Sequence, residues 1–321
     1  MTRVLFLPDY GTQIGCGHVR RCLTLARELT GRGAECGFAV LPRAAEVIRA
    51  FAGDAVQIVE RDWDAPIAVI DGYDYDEGHE RALSAQGRKV CAIDDVMRAH
   101  DCDLVVDAEP GRAANDYHGR AQVLAGLDYV LIRPEFLEAR EAAMASRDKD
   151  GRRVLVSLGL TDSGGITQSV LKLMLDMPCW EAADVVLGDG AASTAFVTEL
   201  AARDPRITLH INSRDMAGLI ARANYAVGAG GGSLWERSVM GLAGVTVVLA
   251  DNQEPAAHFV EENRGGLHCD ARASCFSTDF VRALDTLANN TVIRRAMGNR
   301  AAGLVDGQGA ARVAAAILAL A

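Results

Sequence analysis

Short apolar runs alternate along the whole chain with stretches in which apolar residues recur at helical spacing. From the amino end the pattern predicts strand 3–8, helix 18–31, strand 36–41, helix 43–52, strands 55–59 and 67–71, helix 76–86, and strands 88–93 and 103–107. The run 127–132 reads as the last strand of this set and 135–145 as a helix. These strand runs are rich in Val, Ile, Leu and Ala and lack polar alternation, the composition of parallel strands covered by helices on both faces. Residues 146–153 are the most polar stretch of the chain, so a boundary is expected there, between a domain of residues 1–148 and one of residues 149–321.

The second half repeats the rhythm without repeating the sequence. It predicts strands at 153–158, 183–188, 206–211, 224–228, 244–249 and 266–269, with helices at 165–176, 191–202, 214–222, 232–241 and 254–264 and helical patterns from there to the end. The expected fold class is α/β, two doubly wound Rossmann-like domains facing a central cleft. In the GT-B form of that architecture a nucleotide-sugar lies between the domains, although other two-domain α/β folds share the rhythm.

Composition narrows the partners. Half of the 321 residues are hydrophobic and only 5% are aromatic, and the formal net charge is −10. That charge argues against nucleic acid or an anionic membrane surface as the main partner. An anionic substrate would then be held by local helix ends and a few arginines. Eight cysteines show no metal-type pairing, and several sit in apolar runs, so they read as reduced thiols. The chain enters a strand at once, and no run approaches the ~20 apolar residues of a membrane span. These features lead us to expect a cytoplasmic protein without a stable membrane anchor, and they leave its oligomeric state open.

The richest chemistry lies after the first strand, where a glycine-rich turn, 11–17, delivers His18 to the head of a helix. In a doubly wound sheet this places His18 at a ligand crevice. The partial positive charge of a helix amino end disfavours imidazolium, so the ring would be neutral and able to accept a proton. It is a candidate general base, or a capping histidine beside a phosphate. Gly11, Gly15 and Gly17 do not have the dinucleotide spacing, and no acidic residue ends the next apolar run, so no nicotinamide or flavin cofactor is expected.

In the second half, Gly230, Gly231, Gly232 and Ser233 precede a helix and can close main-chain amides on a diphosphate. Glu236, one turn on, can accept from ribose hydroxyls or serve as a first-turn carboxylate. Asn252 and Gln253 follow the next strand, where amides suit sugar hydroxyls and acetamido groups, although Asn252 can equally cap a helix. The loop 159–165, with Thr161 and Asp162, opens another helix. Asp71, Asp74 and Asp76 contain an acid-any-acid pattern but read more simply as strand end, turn and cap, so no required metal is expected. Asp94 and Asp95 end a strand and face either a crevice or a turn.

Together these segments resemble a family, the UDP-2,4-diacetamido-2,4,6-trideoxy-β-L-altropyranose hydrolases of pseudaminic acid biosynthesis and their spore-coat polysaccharide relatives. The resemblance rests on Ile14 to Arg21, Asp71-Gly72-Tyr73, Ile93-Asp94-Asp95, His100 to Asp103, Tyr129 to Phe136, Ser157 to Asp162, the glycine loop with Trp235-Glu236, and Asn252-Gln253-Glu254. It implies a metal-independent GT-B enzyme, related to the transferase that adds GlcNAc in peptidoglycan synthesis, whose UDP-sugar substrate is hydrolysed with inversion. His18 would position and activate water and Tyr73 would line the sugar site, with Gly15, Gly17, Arg20 and Asp95 as further candidate substrate-binding residues. The residues Thr161, Asp162, Gly230 to Ser233, Glu236, Asn252 and Gln253 would hold UDP and the sugar. Two positions depart from the family: Gly72 replaces its usual histidine and Leu160 its second glycine. An inverting glycosyltransferase and a non-catalytic nucleotide-sugar-binding protein are the rival readings.

Overall fold

A computed structural model describes residues 1–9, 17–52, 56–147 and 151–321. They form two compact units, one of residues 1–133 with 307–321 and the other of residues 134–306.

The first unit contains β1 (Arg3–Pro8), α1 (Gly17–Gly31), β2 (Glu35–Phe38), α2 (Pro42–Ala52), β3 (Gln57–Ile58), β4 (Ile67–Asp71), α3 (Glu77–Ala85), β5 (Lys89–Ile93), β6 (Leu104–Asp107) and β7 (Gln122–Ala125). Its seven strands are parallel in the order β3-β2-β1-β4-β5-β6-β7. Every residue of β4 is buried, as a central strand covered on both faces requires. Chain order reverses between β1 and β4, so the loops after these two strands border the crevice where such sheets bind ligands.

The second unit contains α4 (Pro134–Ser146), β8 (Arg153–Ser157), α5 (Ile166–Leu175), β9 (Ala182–Leu187), α6 (Thr194–Arg203), β10 (Ile207–Ile211), α7 (Met216–Arg222), β11 (Tyr225–Ala229), α8 (Gly232–Val239), β12 (Gly244–Val248), α9 (Glu254–Glu262), β13 (Leu267–Asp270), α10 (Phe276–Asn289) and α11 (Thr291–Leu304). Its parallel sheet has the order β10-β9-β8-β11-β12-β13 and reverses between β8 and β11. The last helix, α12 (Gly309–Leu318), returns to the first unit, where Val313, Ala314 and Ile317 join Val19, Cys22, Leu25 and Leu29 of α1 in one core.

Two expectations change. The seventh strand is 122–125, whereas 127–132 begins with a 3₁₀ turn at Leu127–Tyr129. The apolar character of that run comes from packing: Tyr129 and Leu131 lie against the core shared with α12, and Val130 and Ile132 are buried. The expected boundary at 148/149 also differs from the compact units. Helix α4 belongs with the second unit, and Arg147 donates to the carbonyls of Ile220 (2.9 Å), Ala221 (3.3 Å), Ala223 and Met240 (3.3 Å). A polar run marked the boundary in the sequence, yet its arginine caps the carboxyl end of α7.

Candidate functional site

In the first unit, His18 is the second residue of α1. It is 5% exposed, and its Nδ1 has no hydrogen-bond partner among the described residues. Its ring meets Tyr73 edge-on at 4.8 Å. Burial lowers the His18 pKa below the ordinary imidazole value and the Arg21 charge lowers it further, against the pull of Asp71, Asp95 and Asp9. A neutral ring with an unsatisfied nitrogen can take a proton.

Arg21, one turn after His18, organises the acids around it. It donates from Nε to Asp71 Oδ2 (2.6 Å), from NH2 to Asp71 Oδ1 (2.5 Å) and from NH1 to Asp95 Oδ2 (3.0 Å). Asp95 also accepts from the Tyr73 hydroxyl at 3.5 Å. Arg20, the other expected substrate residue of this helix, places its guanidinium over the Phe51 ring of α2, 5.1 Å from the centroid. The physical reason is helix geometry: residue 21 shares a face with residue 18, and residue 20 does not. Gly15 lies outside the described residues, while Gly17 opens α1 with nothing within 4 Å of an added Cβ.

Gly72, one of the two departures from the family, now has a steric explanation. A Cβ there would lie 2.3 Å from Asp9 Cβ. Asp9 in turn donates its amide to the Asp71 carbonyl at 2.7 Å, which joins the ends of β1 and β4.

A buried polar network supports Asp95. Asp94 accepts from the amides of Asp95 (3.0 Å), Val96 (3.2 Å) and Arg98 (3.0 Å), and the Tyr117 hydroxyl lies 2.9 Å from Asp94 and 2.7 Å from Asp107. His100 stands between Glu80 (2.6 Å) and Asp94 (3.3 Å), and those two carboxylates raise its pKa to about 9 against the effect of burial. Glu80, His100 and Cys102 form the one group of potential metal ligands close enough to share an ion among the described residues. Glu80 is already committed to His100 and to the Asp101 amide, and burial pushes the Cys102 thiol up to about 12.

Sequence reasoning missed Glu109, two residues past β6. Its Oε2 is buried without a partner among the described residues. Burial, then the Asp95 and Asp107 charges, push its carboxyl up to about 7, against Arg21 and Arg112.

In the second unit, the loops after β8 and β11 flank the point where strand order reverses. Gly159, Asp162, Gly164 and Gly165 all have positive φ. The Asp162 carboxylate is fully buried and accepts from the amides of Thr167 and Ser193, each at 2.9 Å. It therefore shapes the loop, while Thr161 is exposed. Gly231 and Gly232 have nothing within 4 Å of an added Cβ, so the chain is open to a ligand at these positions. Gln253 Oε1 accepts from the amides of Gly230 (3.4 Å) and Leu249 (3.1 Å), which ties the loop after β12 to the glycine loop. Glu236 is half-buried and Asn252 exposed. Ser233 Oγ accepts from Arg237 at 3.3 Å.

No family model matches the chain. It is similar to UDP-2,4-diacetamido-2,4,6-trideoxy-beta-L-altropyranose hydrolase of Campylobacter jejuni, with 23% identity over 271 residues, 79% of this chain and 94% of that protein. It is also similar to the spore coat polysaccharide biosynthesis protein SpsG of Bacillus subtilis, with 25% identity over 199 residues, 61% of this chain and 58% of that protein. Among solved structures, MurG of Acinetobacter baumannii superposes with a TM-score of 0.70 at 16% identity, covering 99% of this chain and all of that one. The fold is GT-B in type, two doubly wound parallel-sheet units, and the resemblance to the hydrolase family stands. Among the described residues no helix is long and apolar enough to cross a membrane.

Proposed function

We propose that the protein is a metal-independent hydrolase that cleaves UDP from a 2,4-diacetamido-2,4,6-trideoxy hexose, serving nonulosonic acid biosynthesis. The observation that carries this reading is the buried His18 ring, lowered in pKa and with Nδ1 unsatisfied. Water is deprotonated by the His18 ring as its oxygen bonds to the anomeric carbon. The bond from that carbon to the UDP oxygen breaks, its electron pair leaves with the diphosphate, and the configuration inverts. Tyr73 and the Arg21–Asp95 pair hold His18 and its surroundings in place. The glycine loop with Ser233 takes the diphosphate, Glu236 the ribose, and Asn252 the sugar or phosphates. Similarity to the Campylobacter jejuni hydrolase supports both the reaction and the substrate.

The test is incubation of the protein with the UDP-diacetamido sugar in EDTA, with UDP and free sugar followed by NMR. Release of both without an acceptor supports hydrolysis. Release that requires an added acceptor supports a glycosyltransferase, the activity named for many structural neighbours such as the spinosyn rhamnosyltransferase. Substitution His18→Asn is expected to lower kcat by about 10²–10⁴-fold while UDP still binds. A wild-type rate in that variant would remove His18 from the chemistry.

A further inference from the structure

The glycine loop after β11 rests on a buried charge that makes no ion pair among the described residues. Arg237 lies in α8 and is 3% exposed. Helical side chains lean toward the amino end, and this one runs back beneath the loop. It donates from NH2 to the Ala229 carbonyl (3.2 Å) and from NH1 to Ser233 Oγ (3.3 Å). The guanidinium is packed so closely on the end of β11 that a Cβ on Gly228 would lie 2.2 Å from NH1. No carboxylate forms an ion pair with Arg237 among the described residues, although Glu236 is its sequence neighbour.

Other buried arginines show what a purely structural role looks like here. Arg88 donates to the carbonyls of Arg61, Trp63 and Ala65, and Arg294 to those of Leu287, Ala288 and Gly151. Several carbonyl dipoles surround each of those charges. Among the described residues Arg237 has one carbonyl and one hydroxyl for five N–H donors, and it sits behind the amino end of a helix, where the macrodipole is also positive. Burying an uncompensated charge is costly. Burial accordingly pushes the Arg237 pKa down to about 10, opposed only by the Glu236 charge.

We propose that Arg237 is the buried cationic backing of the glycine loop, without an ion-paired carboxylate among the described residues, so that a bound diphosphate supplies its partner. It is a positioning residue: it acts through the loop and through Ser233, whose hydroxyl its N–H turns toward the ligand. This deepens the reading of the glycine loop as the diphosphate site and rests on it.

The test compares UDP with uridine by calorimetry, because uridine shares the nucleoside and lacks the charge. Arg237→Gln keeps N–H donors for Ala229 and Ser233 but removes the charge, whereas Arg237→Lys keeps the charge. The glutamine variant is expected to bind uridine as wild type does and UDP about 10–100-fold more weakly. The lysine variant should retain most of the preference for UDP. Equal weakening of both ligands in the glutamine variant, or unchanged UDP affinity, would overturn the role of Arg237 and leave the loop assignment intact. Wild-type protein that binds neither ligand would remove the loop assignment and this inference with it. If Arg237→Gln does not fold, Arg237→Met makes the same comparison.

Discussion

At the scale of single residues, the first unit keeps a carboxyl group where it costs stability. Glu109 titrates near 7 in the folded chain, above the 4.5 of an unperturbed glutamate. Below pH 4.5 both states are protonated and the site is neutral in its effect. As pH rises the unfolded chain ionises first, so stability falls until the folded carboxyl also ionises, a loss of about 1–3 kcal/mol once partial exposure is allowed for. Glu109→Gln should therefore gain stability over wild type between pH 5 and pH 8.5, read as the difference in urea midpoints. A difference that stays constant across that range would show that the group is not perturbed. The side-chain neighbourhood behind this prediction is hard to read from sequence, since Glu109 follows its strand much as any surface glutamate would. His18 and the glycine loop after β11 stand out in the sequence because each lies between an apolar strand run and a helical pattern. Arg21 was within reach of helical spacing from His18, but its pairing with Asp71 required the sheet order that brings β4 beside β1.

Among the elements, the ends of β5 and β6 are held by the chain of contacts from Glu80 through His100, Asp94 and Tyr117 to Asp107. His100 has a folded pKa of about 9 against an ordinary 6.5. A raised histidine pKa contributes stability that is fully present below 6.5 and is lost as pH rises through 9, worth about 3 kcal/mol for a buried ring. Wild type should therefore exceed His100→Gln by most at pH 6 and by least at pH 9.5 in urea unfolding. Comparing the two proteins at each pH cancels the contribution of Glu109, and a gap that does not narrow would mean that His100 is neutral in its network. The strands themselves were readable, because double-sided burial leaves continuous apolar runs. The exception, 127–132, shows the limit of that signal: an apolar run packed beneath a helix from the far end of the chain has the same composition as a strand.

For the molecule as a whole, the division into units is set by where the chain finishes. A boundary drawn from polarity gives everything after 148 to the second domain, but α12 completes the core of the first. No local pattern reports this, since an alanine-rich amphipathic helix suits either unit. The seat of α12 is close: a Cβ on Gly309 would lie 2.2 Å from the Val130 carbonyl oxygen, and Arg312 donates to the Asp128 carbonyl at 2.9 Å. Backbone lies against backbone there, so a larger residue has no flexible neighbour to displace. Gly309→Leu should lift α12 and cost the first unit about 1–3 kcal/mol. Hydrogen exchange followed by mass spectrometry on the full chain would localise the loss. Protection is expected to fall in α1 and β1 and to persist in β8, β11 and β12, because stability is carried by cooperative segments rather than spread evenly. Faster exchange in β8, β11 and β12 to the same degree would instead make the two units one cooperative block, and the first unit's dependence on its returning helix would then be shared by the whole chain.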